Sequence, residues 1–225
     1  MLTDRDKNIL KLINRFGFLG IAEIKRAWEI TSHEVLGEKK LYHRMKILKD
    51  LNLVHHKRVV YGRPGVYYLT QKGAEVSESE LSAISEINLI SYSHRIEVNR
   101  ILIKLLEKYS NSIAVTEREL FKRAYLESGK VLGEAAKAKI PDGLLIHENG
   151  TKDAVEVELT KKTNSRLLQQ IKRYREELNL NKYNRVLYFC SRDSIIDSLS
   201  YIVHNLNIAS KILILKFNKE DKFKG

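Results

Sequence analysis

The chain has 225 residues, of which 43% are hydrophobic, and it carries forty basic against twenty-eight acidic side chains, a net charge of +12. That length accommodates one large or two small cores, and only two prolines argue against long unstructured linkers. No apolar run reaches the ~18 residues of a membrane span. The opening MLTDRDKNILKLI does not read as a secretory signal, and the single Cys190 excludes an internal disulfide. A cytoplasmic protein with one buried, inert thiol is expected.

The positive charge is uneven. Residues 1–76 hold fifteen basic and eight acidic groups, a net +7, while the remaining 149 residues hold a net +5. A polyanionic partner follows, and nucleic acid ranks ahead of a membrane surface because no strongly apolar amphipathic face accompanies the charge.

In chain order, Thr3 and Asp4 are cap candidates for a first helix ending near Phe16 and Gly17, with Ile9, Leu10, Leu12 and Ile13 as its apolar stripe. FLGIAEIKRAWEI gives a second helix with Ile21, Ile24, Ala27 and Trp28 facing inward. A third helix spans about Lys39 to Asn52 on an inner stripe of Leu41, Met45, Leu48 and Leu51. Two β-rich runs then flank Tyr61 to Gly65, whose glycines and proline fit a tight hairpin, and Thr70 caps a short helix. Residues 1–76 resemble a winged helix-turn-helix domain throughout. In that fold the third helix enters the major groove and the wing lies on phosphates. Lys39, Lys40, His43, Arg44 and Lys46 are therefore base or phosphate candidates, and His56, Lys57, Arg58 and Arg63 are wing contacts. The adjacent His55 and His56 point to opposite sides of a strand and form no metal pair.

Residues 77–86, SESELSAISE, read as a linker. A long helix from Ile87 to Tyr109 buries Ile90, Ile96, Val98, Ile101, Leu102, Leu105 and Leu106, and offers either an internal packing surface or a homodimer interface. His94 in it has no metal-ligand partner one turn away and reads as structural. Residues 113–120 form a strand leading into a loop or short helix, and 127–138 read as mobile.

The second part, 87–225, centres on two strands, IPDGLLIHENG and KDAVEVELT, turned by Asn149-Gly150. Alternation puts Ala154, Glu156, Glu158 and Thr160 on one face and Val155, Val157 and Leu159 on the other, with Asp142 at the start of the partner strand. Carboxylates so grouped repel unless a cation or a proton relieves them. Mg²⁺ or Mn²⁺ suits such oxygens and phosphodiester hydrolysis is the chemistry it serves; the alternative is an acidic hairpin paired with Lys152, Lys161 and Arg166. A helix, a strand, a helix and a last strand follow.

From about 87 to 217 the pattern is similar to the PD-(D/E)xK nuclease superfamily. The resemblance assigns Pro141-Asp142 to its PD element, Glu156 to its second acid, and Gln170 and Tyr174 to a QxxxY element. Glu97, Glu117 or Glu119 supplies an N-terminal acid. It implies metal ligation by Asp142 and Glu156, with a backbone carbonyl near Val157 as third oxygen. Glu158 stands where the superfamily has lysine, so cleavage is expected to be weak or absent unless Lys161 or Lys162 reaches in.

Taken together, YYLTQKG, SHRIEVNRILIKL, VTEREL, IPDGLLI and AVEVELTKKTNSRLLQQIKRY resemble the replication-relaxation family of plasmids and mobile elements. The fold class implied is α/β (α+β), a winged helix followed by a nuclease-like domain. The function implied is that of a DNA-binding accessory or regulator, partnered with DNA and a relaxase or replication initiator. Two other functions stay open: an active Mg²⁺-dependent endonuclease, and an interaction module recruiting an acidic protein.

Overall fold

In a computed structural model, which describes residues 2–129 and 140–218, Thr3 caps α1 (Asp4–Phe16) through a reciprocal box with Asp6. A two-residue strand β1 (Leu19–Gly20) leads into α2 (Ile21–Ser32), then α3 (Glu38–Asp50) and the antiparallel pair β2 (Val54–Lys57) and β3 (Val66–Leu69). β3 lies between β1 and β2 in one antiparallel sheet. Ile21, Ile24, Ala27 and Trp28 all face inward, as do Leu41, Met45 and Leu48. Leu51, expected to continue that stripe, is 43% exposed. The helix has ended at Asp50, and Asn52 at φ 57° turns the chain away. Nor is the hairpin tight: Lys57 pairs with Val66, leaving 58–65 as its loop.

Thr70 caps α4 (Gln71–Val76) by accepting from the Gly73 amide. Gly73 rests directly on the Leu53 carbonyl, which itself accepts from Thr70 N at 3.1 Å, so an added Cβ would collide with fixed backbone. Gly73→Ala should therefore cost about 3 kcal/mol by overpacking. A urea midpoint equal to that of the native protein would show that α4 is free to shift.

α5 (Leu89–Lys108) begins two residues later than expected, and Ile90, in its first turn, is 95% exposed rather than buried. Further along, Val98, Ile101, Leu102, Ile103, Leu105 and Leu106 join one continuous core with residues of α1, α2, α3 and the second sheet. Most of the apolar surface of α5 is thus packed within the chain. β4 (Ile113–Thr116) and α6 (Glu117–Glu127) follow. Of the stretch expected to be mobile, 127–138, residues 130–138 lie outside the described residues, as do 139 and 219–225.

Next come β5 (Gly143–Ile146), β6 (Lys152–Glu158), α7 (Asn164–Asn179), β7 (Arg185–Cys190), α8 (Asp193–Asn205) and β8 (Ile212–Lys216). The sheet order is β4-β5-β6-β7-β8, antiparallel through β6 and parallel from β6 to β8. Parallel neighbours need crossovers, which α7 and α8 provide. The turn before β6 uses Gly150 at φ 80°, a conformation that suits glycine. Alternation along β6 splits its face as expected: Val155, Val157 and Leu159 pack towards α5, whereas Ala154 packs beneath α7 and α8. Cys190 is buried in β7, and burial followed by the Glu158 charge pushes its thiol up to about 12.

Residues 77–86 hold neither helix nor strand, yet they are tied down. Asn14 donates to Ser79 Oγ and the Leu81 carbonyl, and Lys7 pairs with Glu78. Across the junction, Asn99 donates to both the Phe16 and Phe18 carbonyls, at 3.2 and 2.9 Å. Arg100 binds Glu23 at 2.7 Å, Arg15 binds Glu119 at 2.9 Å and Arg26 binds Glu107. Among the described residues no helix is long and apolar enough to cross a membrane.

Candidate functional site

The end of β6, the start of β5, α5 and α7 converge on three carboxylates. Gly143 pairs with Val155, which sets Asp142 opposite Glu156 at the mouth of the β5–β6 pair. Glu156 and Glu158 are buried, at 6% and 3% exposure, in a strand that is apolar on its other face. Each acid has its own donors. The Val157 amide donates to Asp142 Oδ2 at 2.8 Å, and His94 Nε2 lies 3.2 Å from the same oxygen. Tyr174 donates its hydroxyl to Glu156, and Arg173 stands 3.6 Å from it. Lys162 donates to Glu158 and to Gln170 Oε1.

Electrostatics follow from that packing. Burial, then the neighbouring Asp142 charge, pushes Glu156 up to about 8 against the Tyr174 hydrogen bond and the Arg173 and Lys162 charges. Burial also raises Glu158, opposed by Lys162. Burial pulls His94 down, but the Asp142 bond and charge, the Val157 carbonyl and Glu158 outweigh it and carry it to about 9. His94 is accordingly an imidazolium at neutral pH. The Tyr188 hydroxyl, beside Glu156 in the β6–β7 register, is buried without a hydrogen-bond partner, as are Nε and Nη2 of Arg173. Buried polar atoms left unsatisfied are costly and concentrate where a site is kept for another purpose.

The structure brings Asp142, Glu156, Glu158, Gln170 and Tyr174 together. The cations beside them are not Lys152, Lys161 and Arg166 but Lys162, Arg173 and His94. Lys161 is exposed, while Lys162 sits one residue further on and folds back over Glu158. Of the three N-terminal acids weighed, Glu117 shares a small cavity with Asp142 and His94. Glu97 is held by Arg100, and Glu119 by Arg15 and the Thr116 cap. His94 is a neighbour of the carboxylates rather than a bystander. Nothing local signals this, because its partners lie 48 and 63 residues away across the sheet.

One oxygen of each acid expected to ligate Mg²⁺ or Mn²⁺, and the Val157 carbonyl, stand beside hydrogen donors. Val157 N–H points at Asp142, Tyr174 O–H at Glu156, and His94 Nε2 stands 3.0 Å from the Val157 carbonyl. Among the described residues no three His, Cys, Asp or Glu side chains converge as a metal site. As arranged, with a hydrogen donor on each acid, this set is not a preformed divalent-cation site.

A second feature lies on the first sheet and α3. Lys39, Lys40, Tyr42, His43, Lys46 and Lys49 are exposed on α3, opposite its buried Leu41, Met45 and Leu48 stripe. On the hairpin Lys57, Arg58 and Arg63 are exposed, and Tyr61 is 98% exposed at the tip. His56 stacks on Tyr67 with ring centroids 4.5 Å apart, and His55 lies against Tyr68 on the other side. Partial burial, then Lys49 and Arg58, hold His56 below its ordinary value. Lys49 of α3 and Arg58 of the hairpin thus bear on one imidazole within this exposed basic set. Arg44 does not belong to it: its guanidinium forks onto Asp6 of α1, which is 1% exposed.

The family model described as replication-relaxation matches residues 10–186. No curated relative and no solved structure matches the chain.

Proposed function

The chain belongs to the replication-relaxation family, and on that premise we propose that it is a DNA-binding accessory protein of plasmid or mobile-element replication or transfer. In this reading the unit from α1 to β3 works as a winged helix, with α3 in the major groove and the 58–65 loop on the phosphates. The observation that carries it is the exposure of Lys39, Lys40, His43 and Lys46 on α3 together with that of Lys57, Arg58 and Arg63 on the hairpin. The second part is a nuclease-like scaffold whose acids are occupied by His94, Tyr174 and Lys162 rather than by a metal. Duplex DNA and a relaxase or replication initiator are its partners, and a homodimer over two half-sites would form away from α5.

Lys39→Ala, Lys40→Ala and Lys46→Ala combined should weaken duplex binding at least about tenfold near physiological salt and flatten its salt dependence, since each lysine removed releases fewer counterions. Gel shifts across a salt series measure both. Duplex affinity equal to that of the native chain at every salt concentration would rule out this docking face.

One observation favours a second reading, an endonuclease. Lys162 sets an ammonium against Glu158, which stands at the position the resemblance gives to lysine, and its charge bears on Glu156. Incubation of supercoiled origin DNA with Mg²⁺ or Mn²⁺ separates the two. Intact DNA agrees with the accessory role, whereas robust nicking lost in Asp142→Ala would establish the enzyme.

A further inference from the structure

Between α6 and the 77–86 segment runs an open cleft of about 700 Å³ that neither the carboxylates nor the α3 surface uses. Phe121 and Tyr125, one turn apart on α6, line it together with Arg95, Arg118 and Lys122. Phe121 is 38% exposed although it is a large aromatic. Arg95, Glu117 and Arg118 also line the small cavity that reaches His94 and Asp142, so the cleft leads towards the carboxylates.

The cations differ in role. Arg118 is committed to the fold, donating to the carbonyls of Asn14 and Ser82. Arg95 and Lys122 pair with Glu117 and Glu80, acids whose side chains are 45% and 88% exposed, and Lys122 also donates to the Glu80 carbonyl at 2.8 Å, a bond that can persist beside a phosphate because the ammonium has three donors. Such exposed pairs contribute little and yield readily to a phosphate, which also removes no buried partner. An aromatic wall with displaceable cations along its rim is the arrangement that binds an unpaired polynucleotide: bases stack on the rings and phosphates meet the charges. A duplex cannot use the rings, because its bases are already stacked on one another.

We propose that this cleft binds single-stranded DNA, with bases on Phe121 and Tyr125 and phosphates on Arg95 and Lys122. The inference deepens the DNA-binding function proposed above and rests on it for the choice of DNA. A strand in the cleft would pass beside Glu117 and end near His94, whose imidazolium faces Asp142.

The test uses the full chain, fluorescence anisotropy and a labelled oligo(dT), with an oligo(U) of equal length and a duplex as the other arms. Phe121→Leu keeps an apolar side chain but removes the ring, and should weaken oligo(dT) binding about tenfold. Phe121→Trp should retain it. Lys122→Gln should weaken it and reduce its salt dependence, while duplex binding stays unchanged in all three variants. The α3 triple variant should do the reverse, losing duplex and keeping oligo(dT). Oligo(dT) affinity unaltered by Phe121→Leu and Lys122→Gln would overturn the proposal, as would its loss in the α3 variant. Stronger binding of oligo(U) than of oligo(dT) would overturn the choice of DNA. Duplex binding without any oligo(dT) binding would remove the cleft proposal alone, and oligo(dT) binding without duplex binding would remove the α3 docking face alone.

Discussion

Replacing Glu156 with glutamine should stabilise this protein, and the gain should grow with pH. Burial and the Asp142 charge raise Glu156 from 4.5 to about 8 in the folded state. Between those values the folded chain retains a proton that the unfolded chain has released, so stability falls as pH rises through the window. Above pH 8 the whole cost is present. Glutamine does not titrate, and its carbonyl oxygen can still accept the Tyr174 hydroxyl. A gain of about 2 kcal/mol near pH 8, shrinking towards pH 5, is the expected order of magnitude. Urea denaturation at both pH values measures it. A loss of stability at pH 8 would mean that pairing with Arg173 outweighs burial, and that Glu156 is a structural acid. A gain would identify a carboxylate held at the expense of stability, as functional sites are.

Arg44→Ala should be more damaging to folding than substitution of Lys39, Lys40 or Lys46, although the side chain looks from sequence like a DNA contact. Asp6 is buried and depends on the Arg44 guanidinium and on Thr3. Burial would raise Asp6, but the Arg44 and Thr3 hydrogen bonds outweigh it and hold the acid below its ordinary 3.8. A carboxylate depressed in the folded state contributes stability above its unfolded value and loses it as pH falls through the folded one. Removing the cation at neutral pH leaves a buried, unpaired charge and should cost about 3 kcal/mol. The penalty should shrink in acid, where Asp6 protonates. Equal unfolding midpoints for Arg44→Ala and the native chain at pH 7 would show that Asp6 finds another partner. Arg44→Glu would set two acids together and is worse still, so charge reversal there cannot report on DNA binding, whereas Lys39, Lys40 and Lys46 can.

Periodicity made the helices legible, because Ile9, Ile13, Ile24, Leu41 and Leu48 repeat at the helical interval and are all buried. Turn chemistry did the same for Gly150 and for the Thr70 cap. Alternation in β6 correctly placed the valines and the glutamates on opposite faces. It failed at element ends: Leu51 and Ile90 fit their stripes, but the helix had stopped in one case and had only begun in the other. Pairing between distant segments was not legible at all. Arg44 with Asp6, His94 with Asp142 and Asn99 with Phe16 join residues tens of positions apart, and no local spacing encodes them. Lys162 rather than Lys161 covers Glu158 because the chain leaves β6 through a bend before α7, and strand alternation no longer fixes which side the lysines take.

Asn99 has a mechanical consequence. One side-chain amide grips the chain on both sides of Gly17, and the same helix carries Arg100 to α2 and His94 to Asp142. Force applied at α3 or at the hairpin would pass through α2 into α5 and on to β6 without meeting a hinge. The molecule should respond to load as a stiff lever rather than as two weights on a string. A pull on one end would strain the core shared by α1, α2 and α5 before the 77–86 segment could extend.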